Sequence, residues 1–338
     1  MRPLLHPCLL NGRKGDPALY IETLFEKHAV LFDLGDLSNL PPRKIQRLEH
    51  VFVSHTHIDH FIGFDRLLRV LAGRQKTLNL YGPAHFIEQV QHKLCAYLWN
   101  LVDRYVFDLV FVVTEIDPSL AARKAQFRLK NAFALEEMAA HPVSDGVICR
   151  ERGFLVSTAV LDHGTPCLAF AIEEAAHANI WKNKLLELGL PVGPWLHDLK
   201  RGIIENRPDD HLIQIASLAG SCGERQLGGL RSAVTVTPGQ KIAYVTDVAD
   251  TAANRAAITK LIQGADLLYI EATFAQGDAA LAAERKHLTT LAAGTIARMA
   301  RVRRVEPFHF SPRYEEDEAR MLNEVISALT GPIPEEGA

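Results

Sequence analysis

Val51-Phe52-Val53-Ser54-His55-Thr56-His57-Ile58-Asp59-His60 runs from an apolar strand into a turn carrying three histidines and an aspartate. Side chains alternate along an extended segment, so His55 and His57, two apart, point the same way. Asp59 and His60 follow as the chain turns toward the amphipathic segment Phe61–Leu71. Imidazoles with a carboxylate suit a borderline-soft ion such as zinc, and the H-x-H-x-D-H spacing offers ligands to two adjacent ions.

A metal pair needs more ligands than one loop supplies. Working outward, three further residues of the right type each end a predicted strand. His163 follows Phe154–Leu161, Asp247 follows Lys241–Thr246, and His309 follows Val302–Pro307. Strand ends are where open α/β sheets place their sites. Taken singly each has an ordinary structural use, and Asp247 would also serve to cap a helix starting near Thr251. Glu271, ending strand Asp266–Ile270, and His287, opening a helix over Leu288–Arg301, form a different kind of candidate. A carboxylate against an imidazole fixes its tautomer and raises its pKa, which makes a proton donor.

The 338 residues, 48% hydrophobic and 23% charged, fit a soluble globular chain with a sizeable core. A formal charge of −3 gives no overall pull on nucleic acid, so an RNA partner needs a local basic patch. Five scattered cysteines, Cys8, Cys95, Cys149, Cys167 and Cys222, form no C-x-x-C and suit free, mostly buried thiols in the cytoplasm. No apolar run reaches the roughly 18–20 residues that a membrane span requires.

Short strands dominate the first half and βαβα alternation the second, which predicts a layered α/β fold with helices on both faces. A long helix is expected near Ala84–Leu101 and a strand over 105–113. Ala175–Leu188 has helical spacing, and another helix starts at Trp195–Lys200, so 175–205 reads as an inserted helical arm. The Gly- and Ser-rich stretch 217–239 reads as a loop and carries no phosphate-binding G-x-x-x-x-G-K-[ST].

This order of motifs resembles the metallo-β-lactamase fold family, and within it the ribonuclease Z branch. Phe32-Asp33-Leu34-Gly35-Asp36 is similar to the family's first acidic turn, and His55–His60 to its H-x-H-x-D-H. Leu161-Asp162-His163-Gly164 and Thr246-Asp247 resemble later metal motifs. Glu271-Ala272-Thr273-Phe274, His287-Leu288-Thr289 and His309-Phe310-Ser311-Pro312-Arg313-Tyr314 are similar to elements specific to the ribonuclease Z branch.

The resemblance implies a single four-layer αββα sandwich over residues 1–338, with the 175–205 arm gripping tRNA. It implies one Zn²⁺ on His55, His57 and His163, a second on Asp59, His60 and His309, and Asp247 bridging; Mn²⁺ or Fe are also compatible. Asp59, Glu271 and His287 are then the catalytic residues, and Thr289, Ser311 and Arg313 contact the substrate phosphate. Lys182, Lys184, Lys200 and Arg201 serve as the RNA-binding face of the arm. The expected protein is a homodimeric, zinc-dependent endonuclease that trims 3′ trailers from tRNA precursors. A small-molecule phosphodiesterase on the same scaffold, for instance one opening cyclic nucleotides, and a non-catalytic binding protein remain alternatives.

Overall fold

The computed structural model describes residues 4–24, 28–140, 143–217 and 220–331, without the side chains of residues 217 and 220–222. The thiol of Cys222 therefore lies outside the described residues. Contacts divide the chain into two compact units, Met1–Glu173 with Lys241–Ala338, and Glu174–Gln240.

The first unit holds two sheets. Strands β1 (Leu5–Leu9), β2 (Leu19–Thr23), β3 (Ala29–Phe32), β4 (Leu48–Phe52), β5 (Lys76–Pro83), β6 (Leu109–Ile116), β7 (Ala122–Arg128) and β8 (Leu135–Met138) pair in chain order. The second sheet uses β9 (Val147–Arg150), β10 (Phe154–Asp162) and β11 (Pro166–Glu174). After the insertion it continues with β16 (Lys241–Val245), β17 (Leu267–Glu271) and β18 (Val305–Phe308), ordered β18-β17-β16-β11-β10-β9.

Their inner faces meet over an aromatic core. Phe32 of the first sheet stacks on Phe170 of the second with ring centres 5.4 Å apart, and Phe52, Tyr81, Tyr244 and Phe308 surround them. Burial of such rings dominates the energetics of the interface. Helices Phe64–Leu71 and Phe86–Cys95 cover the outer face of the first sheet. Helices Ala252–Ile262, Thr290–Met299 and Glu318–Thr330 cover that of the second. The order is αββα, as expected.

Glu174–Gln240 contains more than helices. Helices Lys182–Glu187 and Leu196–Ile204 are present, but β12 (His177–Ile180) pairs with β15 (Val234–Thr237), and β13 (Leu212–Ser217) with β14 (Gly220–Gln226). The helix expected from Ala175 is thus replaced at its start by a strand, because residues 177–180 find a partner 54 to 60 residues downstream. The 217–239 stretch is largely ordered in strands and a short helix, not a loop. The insertion consequently extends beyond 205, to Gln240. It packs its own core around Leu185, Trp195, Leu199, Ile213, Ile215 and Leu227. The sandwich strands re-form at its boundary, where Glu173 and Lys241 are ladder partners and their side chains pair at 3.0 Å.

Two further differences are local. The helix expected over 84–101 ends at Cys95, and residues 97–107 form turns that leave Leu98, Val106 and Phe107 exposed. Cys8 and Cys95 are exposed, while Cys149 and Cys167 are buried, so the described thiols are evenly split. Among the described residues no helix is long and apolar enough to cross a membrane.

Candidate metal centre

The parallel strands β3, β4, β16, β17 and β18 all stop on one edge of the sandwich, and each delivers a polar residue there. Three of these residues hold left-handed backbone: Asp33 (φ 59°), Asp247 (φ 36°) and His309 (φ 58°). That conformation is unfavourable for side chains other than glycine and persists only where surrounding contacts enforce it. Here it turns the carboxylates and the imidazole sharply off the strand ends into a common space.

The side chains fall into overlapping groups. One ligand atom from each of His55, His57, His163 and Asp247 lies within 4.8 Å of the others, and the same holds for Asp59, His60 and His309. Asp247 Oδ2 is 3.6 Å from His55 Nε2 and 3.5 Å from both His60 Nε2 and His163 Nε2. Its other oxygen is 3.3 Å from His309 Nδ1. Asp59 Oδ2 lies 3.4 Å from His60 Nε2 and 3.3 Å from His309 Nε2. Asp247 therefore stands between the two groups. Thr251, not Asp247, caps the following helix, accepting from the Asn254 N–H.

Hydrogen bonds behind the rings fix their tautomers. Asp33, fully buried, accepts from Ser54 N (2.6 Å), Ser54 Oγ (2.8 Å), the Tyr244 hydroxyl (2.8 Å) and His60 Nδ1 (2.9 Å). The Ser54 oxygen in turn lies 3.1 Å from His55 Nδ1. His163 Nδ1 donates to the Lys286 carbonyl at 2.8 Å. In each case the far nitrogen, Nε2, is left with its lone pair toward the centre, the arrangement typical of metal-bound imidazoles. His55 Nε2 and His60 Nε2 are buried without any hydrogen-bond partner. Orphaned buried acceptors are costly, and a cation between them and Asp247 satisfies both. The donor set fits divalent metal ions.

Burial, reinforced by the neighbouring His60, drives His55 down to about 2, so its imidazole is neutral and ready to bind. Burial opposes ionisation of Asp247, yet His309 and His60 beside it hold its carboxyl well below the usual range.

Beside this centre, His287 Nδ1 donates to Glu271 Oε2 at 3.0 Å. Glu271 is fully buried and also accepts from Thr273 Oγ1 (2.6 Å) and Val248 N (2.7 Å). Burial lowers the His287 pKa, but the Glu271 charge outweighs it and lifts the imidazole to about 9. His287 lies in the loop ahead of helix Thr290–Met299, and its ring nitrogen groups with Asp247 and His309. A cavity of about 550 Å³ opens next to it, lined in part by Asp162, Arg255, Gln276, Lys286 and Thr289.

The other expected site residues are placed less decisively. Thr289 is buried, donating to Gln276 and capping helix Thr290–Met299 through the Ala292 N–H, so its hydroxyl is committed to the fold. Ser311 is half-buried at the start of a short 3₁₀ turn, and the exposed Arg313 lies 3.5 Å from Asp278. In the inserted unit Lys182, Lys184, Lys200 and Arg201 are all exposed; Lys184 pairs with Glu187 and Arg201 with Asp198. The roles of Ser54, Tyr244 and the Lys286 carbonyl had no sequence signal, since Asp33 and His163 are distant from them in the chain and a backbone carbonyl has no residue signature; Thr273 stands in the same motif as Glu271, but the motif does not show that its hydroxyl holds the carboxylate. Asp33 belonged to a recognisable turn, but its contact with His60 was not readable from it.

No protein-family model matches the chain. The sequence is 31% identical over 333 residues to ribonuclease Z of Deinococcus radiodurans, covering 96% of each protein. It is 30% identical to ribonuclease Z of Crocosphaera subtropica, covering 86% of this chain and 78% of that one. Among solved structures, human tRNase Z, short form, superposes with a TM-score of 0.52 at 18% identity, covering 92% of each chain. The metallo-β-lactamase fold protein YhfI from Bacillus subtilis does so at 0.54 and 16%, covering 96% of this chain and 92% of that one. Both superpositions establish the fold.

Proposed function

The chain belongs to the ribonuclease Z family, and from that premise we propose that it is a metal-dependent endoribonuclease that removes 3′ trailers from tRNA precursors. His55, His57, His163 and Asp247 would hold one ion, and Asp59, His60, His309 and Asp247 the other; the imidazole-rich set favours two Zn²⁺. Bound divalent ions supply positive charge that eases loss of a proton from water and offsets charge on the phosphate oxygens.

The chain's own groups do the rest. Asp59 is half-exposed, and although burial works against its charge, His309 and His60 hold it ionised, so it is placed to take the proton of the attacking water. His287, charged at neutral pH, gives its proton to the leaving oxygen. Glu271 secures Nδ1–H, which leaves Nε2–H as the free donor. Ser311 and Arg313 would serve as phosphate contacts.

The observation that carries this reading is the buried Glu271–His287 pair, because a hydrolytic centre needs a held donor beside its ligands. Purified protein with zinc should cut a 3′-extended tRNA precursor endonucleolytically at the base of the trailer. Cleavage of bis-p-nitrophenyl phosphate without the precursor would assign a small phosphodiester instead, a reading favoured by the internally paired Lys184 and Arg201 of the insertion. Lys182, Lys184, Lys200 and Arg201 supply the RNA-gripping face if the precursor is the substrate. Exposed Leu98, Val106 and Phe107 support a homodimer, testable by sedimentation. The unpaired thiols support a cytoplasmic location.

A further inference from the structure

We infer that His50, Cys149 and Glu151 form a separate site for a zinc-class cation, one that ties β4 to β9 across the two sheets. One ligand atom of each lies within 4.8 Å of the others. His50 Nδ1 is 3.5 Å from Cys149 Sγ, and His50 Nε2 is 3.4 Å from Glu151 Oε1. Tetrahedral zinc with bonds of about 2.0 Å to nitrogen and 2.3 Å to sulfur has ligand–ligand edges of roughly 3.3–3.6 Å. The two contacts use opposite ring nitrogens, so one ligand must swing to share an ion. Glu151 is free to do so, with its side chain 49% exposed.

The surroundings prepare the other two ligands. His50 stacks near Tyr81 and meets Phe154 edge-on, which locks its ring. Burial lowers its pKa to about 4, keeping the imidazole neutral. Burial raises the Cys149 thiol to about 12, while a hydrogen bond from the Tyr81 hydroxyl favours the thiolate. Left alone, such a thiol is inert; a cation reverses the balance, because a coordinating thiol is deprotonated outright. A cavity of about 460 Å³ reaches His50 and Glu151 from solvent, with His28 and Glu49 in its wall, so a solvent molecule has room to serve as the fourth ligand. The mechanical benefit is local. β9 is a four-residue edge strand whose pairing with β10 slips between Val156 and Ser157. An ion on Cys149 would pin that edge to the centre of the opposite sheet.

The inference goes beyond the endonuclease reading and is tested on the holoprotein, with Co²⁺ as the probe. The wild type should retain one more equivalent of Co²⁺ after desalting than Cys149→Ser, and should show a thiolate-to-cobalt absorption band that the variant lacks. Glu151→Ala, a surface change that does not threaten folding, should keep the band but weaken that binding at least tenfold. Hydrolysis should be unchanged in both variants. Equal cobalt content in wild type and Cys149→Ser, a band that survives in Cys149→Ser, or undiminished affinity in Glu151→Ala would overturn the site and leave only a core thiol–imidazole contact.

Discussion

The Lys286 carbonyl accepts Nδ1–H of His163 at 2.8 Å, and the very next residue, His287, donates to Glu271. A metal-type ligand and a proton donor are thus set by adjacent residues of one turn. Lys286 itself holds left-handed backbone, φ 57°. Because the contact is made by backbone, Lys286→Gly should preserve metal content and turnover. Lys286→Val, β-branched in that conformation, should cost about 1 kcal/mol and weaken metal retention. Thermal melts with metal analysis distinguish the two.

Glu271→Gln or His287→Ala should lower turnover by roughly 10²–10⁴-fold, the usual contribution of general acid catalysis, with metal content intact. Loss of zinc from His287→Ala would instead make His287 a ligand.

The same pair predicts a pH limb. The folded His287 pKa lies above its unfolded value, so the Glu271 contact stabilises fully below about 6.5, and its contribution disappears as pH rises through about 9. Protonated His287 is the active form, so kcat should fall on the basic side as pH rises through about 9. Glu271→Gln should move the limb toward 6.5. A profile whose basic limb ignores that substitution would remove His287 from the proton transfer.

Asp33→Ala leaves the Ser54 N–H, the Tyr244 hydroxyl and His60 Nδ1 without their shared acceptor in the core. Denaturant unfolding should show a loss of about 3 kcal/mol or more. Metal affinity should drop about 10–100-fold, since the orientation of His60, and of His55 through Ser54, is lost.

Chelation should abolish hydrolysis and lower the Tm, because ions bound only by the folded chain stabilise it by about 2.7 kcal/mol at a hundredfold excess over Kd. Readdition of zinc should restore both. An unchanged Tm would mean that the orphaned His55 and His60 nitrogens are not bridged.

What the sequence made legible was whatever depends on local pattern. The apolar run ending at Val53 and the βα alternation after Lys241 fix the layers, and strand-end residues His163, Asp247 and His309 converge because parallel strands finish on one edge. What escaped depends on partners far away in the chain. β12 reads as helix until Val234–Thr237 pairs with it, and the glycines of 220–229 conceal a hairpin whose strength lies in cross-strand contacts. Helix Phe86–Cys95 stops short of the pattern because residues 97–107 turn outward. The Asp33–Tyr244 bond spans 211 residues and joins the two sheets, so no window of sequence contains it.

Glu173 and Lys241, ladder partners on one rung of β11 and β16, bracket the whole insertion. In a hairpin that rung would be closed by a few turn residues. The 174–240 segment is therefore a graft on a tight bend, and it can be exchanged as a cassette without cutting the β11–β16 ladder up to the Glu173–Lys241 rung. A change confined to that segment thus leaves the strand ends that carry Asp247 and His309 as they are.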